Sequence, residues 1–141
     1  MNNRYICKAK RVDNGEWVEG FLYITHSGEY EISSYDEELD TERITCIVIP
    51  ETVCRCTTLT DKNGKWIFEG DVLRDKESGF IGTVKFNDVI ASFVVVINDT
   101  TPTFYHWSWL NKGDVTRKKI LKDTEIIGNE YDNPELLEVE R

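Results

Sequence analysis

No stretch of the 141-residue chain approaches the roughly 20 consecutive apolar residues that a helix needs to cross a bilayer. Met1 to Lys10 also lacks the apolar run of a secretory signal, so the expected location is the cytosol, with no membrane partner. Four cysteines are too few for a disulfide-dense secreted scaffold, and a reducing compartment keeps them as thiols. Basic residues are outnumbered, 17 against 26 acidic ones, and the net charge of −9 on average repels nucleic acid and anionic membranes. Sustained helical periodicity, internal repeats, low-complexity tracts and Gly/Ser linkers are missing as well, which argues against a βαβ fold or a chain of tethered modules.

What is there is enough apolar residue, 40% with 11% aromatic, to build one ordinary domain or two small ones without a staple. Short β-favouring runs alternate with turn signals. Asp13-Asn14-Gly15 supplies the positive φ of a hairpin between a strand over Tyr5 to Val12 and a second over Glu16 to Ile24. Ser27-Gly28 before Tyr30 to Ser33 suggests another hairpin, and Ser34 to Arg43, with five carboxylates in ten residues, reads as an exposed loop. Ile44 to Ile49 is β-branched apart from Cys46 and reads as a buried strand stopped by Pro50. Further extended segments are Val53 to Leu59, Trp66 to Phe68, a hairpin entered at Gly70-Asp71 that turns at Gly79 and returns through Gly82 to Phe86, then Phe93 to Ile97 and Phe104 to Leu110. Asn133-Pro134 is the start expected of a short helix, with asparagine as cap and proline in the first turn.

Four blocks stand out together: Ile-Pro-Glu-Thr-Val at 49 to 53, Thr-Leu-Thr-Asp-Lys-Asn-Gly-Lys at 58 to 65, Ile-Phe-Glu-Gly-Asp-Val at 67 to 72, and Ile-Ile-Gly-Asn-Glu-Tyr-Asp-Asn-Pro-Glu-Leu at 126 to 136. In this set the chain closely resembles the YopX family, over nearly its whole length. The resemblance implies a protein of phages and prophages, within a bacterial host cell, with an N-terminal β-rich portion and a C-terminal SH3-like barrel. The expected fold is therefore mainly β, an antiparallel N-terminal portion at 1–58 packed with a barrel at 59–141 that ends in a short helix or tail. The resemblance brings no catalytic residue or cofactor to carry over. Where the family usually has a small residue near position 56, this chain has Cys54-Arg55-Cys56.

Cys54 and Cys56 would share one face of a strand, as two zinc ligands must, but Cys7, Cys46, His26 and His106 show no close pairing to complete a site. Buried structural thiols are the commoner state. A bridge between Cys54 and Cys56 would span roughly 6.6 Å of extended chain, at the edge of disulfide geometry. A thiol paired with His26 or His106 as nucleophile and base has no sequence motif behind it, and Gly79 with Gly82 sits between strands without the helix that a dinucleotide site requires. Asp36 and Asp40 match no calcium loop, and solvation of an exposed face explains them equally well. The expectation is no metal, no cofactor and no catalytic residue.

Phe104 to Trp109 is the most suggestive segment, since a strand there sets Tyr105, Trp107 and Trp109 on one side. Core or interface packing is the leading reading for so many large rings, with stacking on a ligand behind it. Arg117, Lys118, Lys119 and Lys122 form the only dense basic cluster. Three functional readings follow. The first is a non-enzymatic protein that self-associates, covering its edge strands and aromatics in a homo-oligomer. The second is a nucleic-acid accessory module using Tyr105, Trp107 and Trp109 with Arg117, Lys118 and Lys119. The third is an acidic inhibitor that engages a basic host or phage protein through Asp36 to Asp40.

Overall fold

The computed structural model describes residues 5–34, 44–76, 79, 81–89, 91–97, 104–105 and 123–137. Strand accounts for 61% of them and helix for 10%, arranged as two antiparallel sheets, so the chain is mainly β as its turn-punctuated pattern implies. Two compact units divide the chain, Met1–Cys56 and Thr57–Arg141.

In the first unit β1 (Ile6–Lys10), β2 (Trp17–Ile24), β3 (Tyr30–Ser34) and β4 (Ile44–Ile47) pair in sequence order. The first hairpin forms because Gly15 adopts a φ of +72°, and the Asn14 side chain accepts a hydrogen bond from the Glu16 N–H at 2.9 Å. Arg11 brackets the same turn through a two-pronged ion pair with Asp13 at 2.7 and 2.9 Å, which raises the arginine's pKa and holds the Asp13 carboxyl below its usual range. Strand pairing then returns on itself. Arg11 bridges Val48, the Val12 N–H donates to the Ile47 carbonyl at 3.0 Å, and the Ile49 N–H donates to the Lys10 carbonyl at 2.8 Å. The far end of β4 is thus hydrogen-bonded to the end of β1, beside which β5 (Cys54–Thr60) pairs at Cys7 and Lys8. A 3₁₀ turn at Pro50–Thr52 links the two, pinned by the Thr52 hydroxyl, which accepts from the Lys10 N–H and donates to the Ile49 carbonyl.

Inside this closed set lie Cys7, Ala9, Ile32 and Val48, with Val18, Leu22, Tyr30 and Val53 packed against them. The buried strand expected over Ile44 to Ile49 is corrected. Ile44 and Ile47 are half exposed, and only Cys46 and Val48 of the run are buried. A β-branched run bounded by proline suits a fully buried strand and a half-buried one equally, and here only one face has a core to meet.

The second unit takes up the latter part of β5, beside β6 (Trp66–Phe68), and continues through β7 (Asp71–Asp75), β8 (Ile81–Asn87), β9 (Ser92–Ile97), β10 (Phe104–Tyr105) and β11 (Thr124–Asn129). Its sheet order is β10-β9-β8-β7-β11. Ile67, Leu73, Val84, Val94 and Val95 form the core, joined by Leu59, Phe93, Val96 and Ile126. Phe86 and Phe93, opposite each other on β8 and β9, meet edge to face with centroids 5.2 Å apart. The helix expected after Asn133 is a single 3₁₀ turn, Pro134–Leu137.

Candidate functional site

The family-like blocks hold side chains with the chemistry for catalysis, and the fold consumes them. Asp61 is 1% exposed. One carboxylate oxygen accepts from the Asn63 and Lys65 N–H groups at 2.9 and 3.0 Å, shaping the 61–65 turn, and the other accepts from the Ile126 N–H at 3.0 Å. With the Lys62 N–H donating to the Thr124 carbonyl at 2.8 Å, the turn covers the outer edge of β11 in place of a strand. Buried Asp71 works the same way, accepting from the Phe68 N–H at 2.8 Å to close the turn between β6 and β7.

The closing block is a knot of asparagines. Asn129 accepts from the Tyr131 and Asp132 N–H groups, while the Asn133 side chain accepts from the Asn129 N–H at 3.3 Å. The expected capping role of Asn133 therefore falls to its backbone, whose carbonyl accepts from Leu136 N–H. Next to this block Glu125 receives Arg74 at 3.0 Å and Lys62 at 3.6 Å, and the arginine hydrogen bond, then the lysine charge, hold its carboxyl below the usual range. Lys85 pairs with Glu130.

The four cysteines are buried free thiols. Register places Cys7 on the inner face with Cys46, whereas Cys54 lies opposite Lys8, on the other side of β1. Among the described residues no group of three His, Cys, Asp or Glu side chains is placed to hold a metal ion. Of the sequence-predicted interaction residues, Tyr105 pairs through its backbone with Val95 at the end of the second sheet. Trp107, Trp109, Arg117, Lys118, Lys119 and Lys122 lie outside the described residues, as do Asp36 and Asp40.

An aromatic surface that sequence reasoning passed over lies on the outer face of the first unit. Alternation along β2 sends Val18, Gly20 and Leu22 inward and Trp17, Glu19, Phe21 and Tyr23 outward. Register aligns Lys10 with Trp17, Lys8 with Glu19, Ile6 with Phe21 and Glu31 with Tyr23, and Glu31 in turn with Ile47 on β4. Phe21 is 43%, Tyr23 63% and Ile47 49% exposed. The amines of Lys8 and Lys10 sit 4.9 and 5.5 Å from the Trp17 ring centre, a double cation–π contact that fixes the indole at one end of the strip. The signal was legible as Trp17-x-Glu19-x-Phe21-x-Tyr23, a period-2 run whose aromatic half is the outward one.

A family model described as YopX protein matches residues 8–138. No curated protein matches the chain.

Proposed function

The chain belongs to the YopX family, and on that premise we propose that it is a non-enzymatic protein that works by associating with further copies of itself through the outer face of β1, β2, β3 and β4. The observation that carries this reading is the set of exposed Phe21, Tyr23 and Ile47 on one face of a small β unit, apolar side chains interleaved with the carboxylates of Glu19 and Glu31. Edge-strand addition contributes less, because the end of β4 is bonded to β1 and the outer edge of β11 is covered by the 61–65 turn. A non-enzymatic role fits the buried carboxylates, Asp61 and Asp71, which are engaged in holding backbone N–H groups.

The Lys8–Trp17–Lys10 cluster gives a nucleic-acid module its best footing, since cations beside a ring suit a phosphate backbone and a stacked base. Glu19 and Glu31 on the same face offset those two charges and favour a protein partner. Light scattering after size exclusion, at two salt concentrations, tests the choice. A protein-only oligomer is expected. A monomer at high concentration removes the proposal, and one that carries nucleic acid released by salt replaces it with the second reading.

A further inference from the structure

The outer face of the first unit is ordered by charge along its length. Lys10 and Trp17 lie side by side at one end, and Tyr23, Glu31 and Ile47 lie side by side at the other. Between them β2 carries Glu19 and Phe21, so the middle of the strip is the level of Gly20. Trp17 and Tyr23 are six residues apart, roughly 20 Å at ~3.3 Å per residue, and the three strands β1, β2 and β3 span on the order of 10 Å between axes. Lys10 stands one strand to one side of β2 at the Trp17 end, and Glu31 one strand to the other side at the Tyr23 end, both three residues from Gly20.

An in-plane two-fold axis that crosses β2 obliquely at Gly20 therefore superposes the position of Lys10 on that of Glu31. We propose that two copies stack face to face about such an axis, the Lys10 amine of each meeting the Glu31 carboxylate of the other. This register rests on the self-association reading above and specifies its geometry. Among the described residues Glu31 takes part in no ion pair or side-chain hydrogen bond, so the carboxylate at the Tyr23 end is left for a second copy. The same axis lays the Trp17 indole over the Tyr23–Ile47 end, where a large ring meets apolar surface, and sets Phe21 near the stems of Lys8 and Glu19. A two-fold face must be self-complementary, and a strip with a cation at one end and a carboxylate at the other meets that condition in one orientation only. Its area is small beside the roughly 800 Å² per partner of a standard interface, so association is expected to be weak and reversible.

The test is a charge swap in the full-length chain, followed by sedimentation velocity across a concentration series. Lys10→Glu sets carboxylate against carboxylate at both symmetric contacts, and Glu31→Lys sets amine against amine. Each variant alone is expected to self-associate about tenfold more weakly than wild type. An equimolar mixture of the two restores wild-type affinity, because every contact then joins opposite charges, and Lys10→Glu combined with Glu31→Lys in one chain restores it without mixing. That doubly substituted chain also separates lost association from lost folding. Wild-type association in both single variants, or weakening that neither the mixture nor the double swap repairs, overturns the register while leaving self-association standing. A wild-type chain that stays monomeric overturns both.

Discussion

The side-chain oxygen of Asn133 lies 2.5 Å from where a Cβ on Gly128 would sit, with Leu136 Cδ1 at 3.0 Å, so the glycine and the asparagine of the closing block occupy one space between them. Gly128 lies beyond a bulge in β11, where register with β7 shifts between Ile126 and Gly128. The glycine is needed here for room, not for its dihedral angles.

Gly128→Ala should destabilise the chain by about 2 kcal/mol, in the range of overpacked sites. Asn133→Ala, which empties the space but strands the Asn129 N–H, should reduce that penalty in the double variant. Urea denaturation of the four chains in the cycle gives the coupling. Additive effects would separate two residues that the geometry joins.

Removing the Asp61 carboxylate leaves the N–H groups of Asn63, Lys65 and Ile126 without their acceptor. Asp61→Ala should cost about 3 kcal/mol, and Asp61→Asn, which keeps one acceptor oxygen, about half of that. Denaturation midpoints check both values. A loss below about 1 kcal/mol for the alanine variant would mean that water replaces the carboxylate as acceptor.

Much of this was legible beforehand because turn chemistry is local. Asp13-Asn14-Gly15, Ser27-Gly28 and the 61–65 turn each stand between strands where the residues place them. Ring closure of the first unit was not legible, since Arg11 meets Val48 across 36 intervening positions through backbone groups that no side chain announces. Strand β11 is absent from the sequence reading, in which Ile126 to Asn129 stand only within the closing block at 126 to 136, although Thr-Glu-Ile-Ile at 124 to 127 carries β-branched residues. The outward aromatics of β2 are readable as a period-2 series, but the denser rings of Phe104 to Trp109 give the stronger local signal.

Thr58 has a φ of 67°, a left-handed conformation that a β-branched residue adopts only under strain. The neighbouring Thr57 hydroxyl enforces it, donating to the Ile67 carbonyl at 2.7 Å and accepting from the Leu59 N–H at 3.2 Å. Thr58→Gly should raise stability by about 0.5 kcal/mol, the relief of strain exceeding the added freedom of the unfolded chain. A lower urea midpoint for the variant would show that the Thr58 side chain contributes more than its strain costs.

Glu125 is held below the usual carboxylate range by Arg74 and then Lys62, and Asp13 by Arg11. A carboxylate depressed by folding contributes stability that is fully present above its unfolded-state pKa and lost as pH falls through its folded-state value. Glu125→Gln should therefore lower stability at neutral pH, and the gap to wild type should narrow as the pH drops below the ordinary carboxylate range. Urea midpoints between pH 7 and pH 3 measure it. A gap independent of pH would assign the loss to packing instead of charge.

Sedimentation of two variants tests most directly whether the outer face of the first unit joins copies of the chain. Phe21→Ser with Tyr23→Ser removes the exposed rings of that face, whereas Val89→Ser alters a residue 93% exposed at the tip between β8 and β9. The wild type and Val89→Ser are predicted to share a concentration-dependent rise in mass, and the ring-deleted chain to remain monomeric. Equal masses for all three chains at every concentration would contradict the account.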